Sequence, residues 1–443
     1  RNKLSASLIM GFTVDIGGDG GSGGDGGAAS FTQSGLITTS GDHADGVVVQ
    51  SIGGGGGVGG SAASMGSETV SSLQLNLGGS GGAGGNGGAA SLTFEDGGAI
   101  TTAGYGAMGA LVQSVGGGGG QGGSGSDRIV AAPGTDDEGS IQLGVRGADG
   151  VDDQDSGAVA VTGPATITTA GMDASALVLQ SIAGGGGVAL AGNANVAELS
   201  GFDGAPGASG YIQTTVATGN GSASNAAQAG SVSFDGTVDI ATSGTAAHGV
   251  VAQSIGGGGG LSPTVNQQDT GSISIGGGYG DGGVVEIDVT GGAIDIAGNS
   301  AIGIVAQSIG GGGGVARLDT TAGEARLGAV RNGSYDGNMN GGDVSVSVGF
   351  GGTSGTAGAR SIGIVAQSIG MGGGILSTRG GMFDSLVLGG RYGVGHAGDV
   401  HVTLKTNSGS LTTQGEGSHG IVAQSIGGGG GTGRNKSGLF VAV

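Results

Sequence analysis

The chain has 443 residues, of which 119 are Gly, 13 are Lys or Arg and 33 are Asp or Glu, so its formal charge at pH 7 is −20. Such an acidic chain opposes binding to nucleic acid or anionic lipid, and the absence of Cys excludes a disulfide framework, a thiolate metal site and a cysteine nucleophile. With 8 Phe, 5 Tyr and no Trp there is little to fill a conventional core, so the chain is either low-complexity coil or a periodic fold that packs backbone against backbone.

Periodicity decides for the second. Taken in chain order, each unit begins with a short apolar run, such as SIQLGV at 140–145, SISIGG at 272–277 or SLVLGG at 385–390. A Gly-rich stretch follows, with a three-residue rhythm in GGDGGSGGDGGA at 17–28 and GGSGGAGGNGGA at 78–89. That rhythm suits an extended threefold backbone whose amides bond to neighbouring chains; a flexible linker is the alternative. Next come runs that alternate apolar and polar residues (SVSF from Ser231, VVEIDV from Val284, VSVSV from Val344, VHVTL from Val400), then LITTSG from Leu36, AITTAG from Ala99, TITTAG from Thr166 and SLTTQG from Ser410. Runs of four to seven residues, β-branched, with period two and bounded by Gly, Asn, Asp or Ser, predict strands between turns. No stretch predicts a helix.

Each unit ends on one motif. GVVVQSIGGGGG at 46–57 recurs as GALVQSVGGGGG, ALVLQSIAGGGG, GVVAQSIGGGGG, GIVAQSIGGGGG, GIVAQSIGMGGG and GIVAQSIGGGGG, placing a glutamine at Gln50, Gln113, Gln180, Gln253, Gln307, Gln367 and Gln424. The spacing of these glutamines averages about 62 residues and ranges from 54 to 73. The glycines after each motif specify nothing by side chain, so positive φ or close backbone approach must demand them. Residues 1–443 therefore predict one continuous all-β solenoid of seven repeats, each burying its apolar face against its neighbours.

Two windings fit. Ile421, Ala423 and Ser425 alternate with Val422, Gln424 and Ile426, so both faces of the motif strand are apolar or small, as in a strand buried on both sides. This favours one wide turn per repeat, with the motif strands as a central sheet and the glutamines in a ladder ~4.8 Å apart, each amide bonding the next. The alternative is a parallel β-helix with about three turns per repeat, which separates the glutamines by ~14 Å.

Motifs that carry chemistry are weak against so much glycine. GxSxG fits Ser22 and Ser80 without a strand-to-helix elbow or triad partners, and no P-loop is present. His248 and His419 both stand five residues before the motif glutamine, where the other repeats have Asp45, Met108, Ser175, Ile302 and Ile362, and read as imidazoles tolerated at a turn. Asp149, Asp152, Asp153 and Asp155 gather oxygen density suited to calcium, yet lack EF-hand spacing and read more simply as solvated charge. No catalytic, cofactor or metal residue is assigned, and no enzyme is expected.

The AQSIGGGGG motifs and their ITTxG companions, spanning residues 46–431, resemble the glycine-rich passenger regions of bacterial autotransporters. The resemblance implies a β-solenoid passenger exported by type V secretion to the outer-membrane surface, acting in adhesion, aggregation or biofilm formation. It implies a translocator barrel, which is expected outside this segment, as is any export signal. RNKLSASL at 1–8 and RNKSGLFV at 434–441 share one phase, so further repeats or end-to-end stacking of copies are expected beyond them. The expected function is the rigid body of an extracellular fibre, stalk or passenger, with itself and a host or neighbouring-cell surface as partners. The alternative is an adhesin that binds a glycan or protein through variable loops such as 188–211 or 261–271; it predicts an aromatic groove, and Tyr105, Tyr211, Tyr279, Tyr335 and Tyr392 are too scattered to favour one.

Overall fold

A computed structural model describes residues 24–54, 85–117, 155–184, 227–267, 280–320, 339–378, 395–405 and 409–435, with short gaps at 118–119 and 185–186 before further strand residues, and the strand segments 11–16, 72–77, 120–122, 139–142, 187–189, 212–216, 271–275, 323–327, 385–389 and 438–442. Among these residues there is no helix; the protein is all-β, built from parallel strands in stacked sheets.

Alternation makes the strands. In Val344–Val348 the three valines are at most 1% exposed while Ser345 and Ser347 face outward, half-buried. Its neighbours Val285–Ile296 and Val400–Leu404 pair with it in register, so that its valines stand beside valine, isoleucine or leucine. These belong to a sheet of 12 strands in which SVSF-type runs pair with SVSF-type runs and ITT-type runs with ITT-type runs, the two columns lying end to end. In Val232–Thr242 and Val285–Ile296 one strand passes through both runs, and their mutual register shifts after Gly236, a bulge.

The motif strands form a second sheet, in the order His419–Ile426, Ile362–Ile369, Ile302–Ile309, Val250–Ile255, Leu177–Ile182, Ala110–Val115, Val47–Ile52. One face packs on the 12-stranded sheet, with Leu177, Leu179, Ile304 and Ile364 against Phe234, Ile287 and Val346. The other face, with Leu111, Val178, Val251, Val305 and Val365, meets Leu261, Val315 and Ile375. Strands buried on both faces carry no polar face, which is why these runs lack alternation. Each buried Leu, Val or Ile contributes ~1.5–3 kcal/mol of transfer free energy.

The partners on that second face belong to a third sheet, which starts in the glycine runs: Gly120–Gly122, Gly187–Ala189, Gly259–Gln267, Gly313–Thr320, Gly373–Thr378 and Gly430–Asn435, all parallel, with Gly438–Ala442 antiparallel at its edge. The sequence reading of 261–271 as a loop is corrected here: residues 261–267 are strand, paired with Gly313–Thr320, and Pro263 falls where the register shifts. A proline without an N–H is accommodated at such a bulge. Ala316 and Leu376, next to inward Val315 and Ile375 on the opposite face, are also buried, and a fourth sheet of leading strands (Gly11–Ile16 through Ser385–Leu388) contacts this third one.

The glycine run has a definite cause. Gly373 lies at φ +139° and pairs with Gly313 and Gly430; a Cβ there would stand 1.7 Å from the Gly430 carbonyl oxygen. Neither the dihedral nor the space admits a side chain. Gly171, in the turn after TITTA, faces the same exclusion, 1.7 Å from Gly104 O, because successive turns stack backbone on backbone.

Candidate functional site

The recurring chemistry of this molecule is a set of side-chain ladders that run across the stacked strands. All seven motif glutamines stand in register, Gln50 beside Gln113, Gln180, Gln253, Gln307, Gln367 and Gln424. Gln50 Nε2 donates to Gln113 Oε1 at 2.6 Å, and the pattern continues with Gln113 to Gln180 at 2.6 Å, Gln180 to Gln253 at 2.7 Å, Gln253 to Gln307 at 2.8 Å, Gln307 to Gln367 at 2.8 Å and Gln367 to Gln424 at 2.6 Å. The five inner glutamines are fully buried. Burial of an amide without partners costs several kcal/mol, so the ladder is what makes glutamine tolerable between two apolar layers. Thr432 Oγ1 joins at the far end, accepting from Gln367 and donating to Gln424.

The serine that follows each glutamine points to the opposite face and stitches the motif sheet to the Gly-rich stretch. Ser51 Oγ donates to Gly27 O and accepts from Gly88 N; Ser254 Oγ donates to Gly230 O and accepts from Gly283 N. Ser51 and Ser254 thus each tie their own repeat to the next. The space is tight, since a Cβ on Gly282 would lie 2.5 Å from Ser308 Oγ.

Two further sets of cross-repeat bonds join these, one at a position the sequence analysis passed over and one at the position five before the motif glutamine, where it read only a turn. Asp25, Asn86, Asp155, Asp281 and Asn340 each accept, through Oδ1, the backbone N–H of the residue in the corresponding place of the next repeat: Asn86, Asp155, Gln228, Asn340 and His396. The available signal was an Asp or Asn two residues before a glycine, 25 to 27 residues ahead of the motif glutamine. At the position five before the glutamine, Asp45 accepts from Met108 N, Ser175 Oγ from His248 N, and His248 Nδ1 from Ile302 N at 3.0 Å. His248 is therefore a buried acceptor in its own column, held with Nδ1 unprotonated, rather than an idle turn residue.

Of the acidic group considered for calcium, Asp149, Asp152 and Asp153 lie outside the described residues, and Asp155 serves the amide of Gln228. Among the described residues no group of three His, Cys, Asp or Glu side chains is placed to hold a metal ion.

The turns between the ITT strands and the motif strands stack as well. His43, Gly106, Asp173, Ala246, Ser300, Arg360 and Gly417 occupy equivalent places, all with φ between 55° and 65°. Thr102, Thr169 and Thr242 lock these turns by donating to Ala107, Ala174 and Ala247 carbonyls. Tyr105 packs edge-on against His43 and hydrogen-bonds Asp173. Burial, reinforced by the Asp173 carboxylate, holds the Tyr105 phenol above its usual range, while burial lowers the His43 imidazole against the opposing pull of Asp42. On the outer face of the 12-stranded sheet a shallow trough of about 380 Å³ is lined by small residues with Thr168, Ser243, Asp295, Thr412 and Gln414, and by no aromatic ring.

No protein-family model matches the chain, and no curated protein or solved structure matches it either.

Proposed function

We propose that this chain is a β-solenoid advancing one wide turn per repeat, with seven repeats between residues 1 and 443, and that it forms the rigid body of an extracellular fibre, stalk or autotransporter-like passenger at a bacterial outer-membrane surface. Its role is structural and adhesive rather than catalytic: length, stiffness and a repeated face presented to a host or neighbouring cell, with any translocator barrel supplied from outside this segment. The observation that carries the reading is the glutamine ladder, because side chains 54 to 73 residues apart hydrogen-bond directly only where equivalent positions of successive repeats are adjacent strands. A stack of this kind gains stability turn by turn from nearest neighbours, which suits a spacer.

Deleting residues 253–306 tests it, because Ala252 then joins Gln307 and the motif remains intact. The shortened chain should keep its β-sheet circular dichroism and lose about one strand spacing, ~4.8 Å, of particle length in electron microscopy. Loss of ~14 Å would mean three turns per repeat, and collapse of the fold would refute modular stacking. If cell–cell aggregation vanishes while the fold persists, a specific ligand contact in the deleted repeat replaces the scaffold reading.

A further inference from the structure

We propose that the trough on the outer face of the 12-stranded sheet binds an extended amino-sugar polymer of a neighbouring cell surface, laid along the stack with its ammonium groups toward the carboxylates of that face. The proposal rests on the adhesive reading above and names its surface and its ligand.

The composition of the sheet sets the charge. Its 12 strands carry five carboxylates, Asp235, Asp239, Glu286, Asp288 and Asp295, and no lysine or arginine. All five stand at outward positions, alternating with buried Phe234, Ile240, Ile287 and Ile294. Lys405, just beyond Val400–Leu404, reaches past Val344–Val348 to Asp288. Asp235, Asp239, Glu286 and Asp295 have no ion-pair partner among the described residues. Asp235 also stands beside Asp288 in register, and like charges so placed oppose each other. Such a face favours a cationic partner.

The trough supplies the shape. Thr168, Ala241, Asp295, Gly355 and Thr412 form one outward column across five adjacent strands, ~19 Å long at a strand spacing of ~4.8 Å. Asp295 is its central rung and the only charged residue lining the trough, while Ser243 and Gln414 add a hydroxyl and an amide. The volume of about 380 Å³ falls within the ~300–1,000 Å³ of small-ligand sites. Thr356 also lines the trough, is 2% exposed and has no partner for its Oγ1, whereas Thr169 and Thr242 in the same column donate to turn carbonyls. A polar group on a ligand can complete that hydroxyl. A peptide is a poor occupant, because backbone groups inside a sheet bond within its plane and strand addition needs an edge. A neutral glycan is poor too, since the lining has no aromatic ring for a sugar face to pack on. An amino-sugar polymer meets each feature: a straight chain, hydroxyls for Thr168, Ser243, Thr412 and Gln414, and ammonium groups for Asp295 and the carboxylates around it.

The test titrates the 443-residue protein by calorimetry, at mildly acidic pH, with a glucosamine pentamer, its fully N-acetylated counterpart and pentalysine. The glucosamine pentamer should bind at least ~10-fold tighter than either of the others. Asp295→Asn removes the central charge, and Ala241→Phe fills the trough while keeping every charge; each should weaken binding ~10-fold. Asp96→Asn makes the same charge change at an exposed turn outside the trough and should alter binding less than ~2-fold. No binding of the glucosamine pentamer, equal binding of pentalysine, full binding by Ala241→Phe, or equal weakening by Asp96→Asn would each overturn the site. Residues 253–306 include Asp295, so the point variants and not the repeat deletion read the site. Cells displaying the chain separate the two claims. Adhesion to a glucosamine-polymer surface that survives both Asp295→Asn and Ala241→Phe removes the site and leaves the adhesive reading, whereas pentamer binding without any adhesion removes the adhesive reading and leaves the site.

Discussion

Replacing Gln253 by Leu interrupts the glutamine ladder at its centre while nearly preserving side-chain volume. Two hydrogen bonds disappear, from Gln180 Nε2 at 2.7 Å and to Gln307 Oε1 at 2.8 Å. Because Gln180 and Gln307 are fully buried, the abandoned donor and acceptor find no water. Each such orphan costs ~1–3 kcal/mol, so the pair costs ~2–6 kcal/mol. Long stacks do not unfold as two states, so a global midpoint is a poor readout; hydrogen exchange resolves the opening of individual strands. At 1.4 kcal/mol per tenfold, amides in Leu177–Ile182 and Ile302–Ile309 should exchange at least ~30-fold faster in the variant, with strands farther along the stack less affected. The matching change Gln50→Leu removes one bond at a half-buried end of the ladder and should matter less. Exchange within ~3-fold of the parent for Gln253→Leu, or equal effects for both variants, would refute the claim that the ladder compensates a buried amide.

Gly373→Ala forces a Cβ into the Gly430 carbonyl at φ +139° and should cost more than ~3 kcal/mol in local exchange, whereas Gly352→Ala, which meets nothing within 4 Å, should change it by less than ~0.5 kcal/mol. Thr242→Val removes the Thr242 Oγ1 to Ala247 O bond and should destabilise its turn by ~1 kcal/mol, while Thr356→Val should be neutral or stabilising, since Thr356 Oγ1 has no partner and Ile296 fills the same column; thermal shifts of the two variants separate them. His43, with its folded pKa depressed by burial, binds its proton more weakly when folded than when unfolded; stability is unaffected above the ordinary histidine pKa and falls as pH drops below it. NMR titration of the imidazole should place His43 below 6.5, and a midpoint above that value would contradict the burial.

Much of the fold could be read locally. Alternation in VSVSV and the two-sided apolar run of LVLQSI are properties of a few adjacent residues, and they match strands buried on one face and on both faces respectively. The strand-forming part of the glycine run could not be read so, because glycine has no pattern; that Gly313–Thr320 is strand follows from its neighbours on either side. His248 is another case. Its imidazole accepts an amide from Ile302, 54 residues away, and nothing near it in sequence announces that role.

The sequence by itself determined the all-β class, the positions of most strands and the need for glycine after each motif, since these follow from short-range sterics and burial. Tertiary structure decided which strand lies beside which, which way the glutamine amides run, and that Asp25, Asn86 and Asp281 cap amides in the next repeat instead of facing water. The physical reason is that a parallel strand finds its hydrogen-bond partner only through the rest of its repeat, so every one of those contacts joins residues more than 50 positions apart.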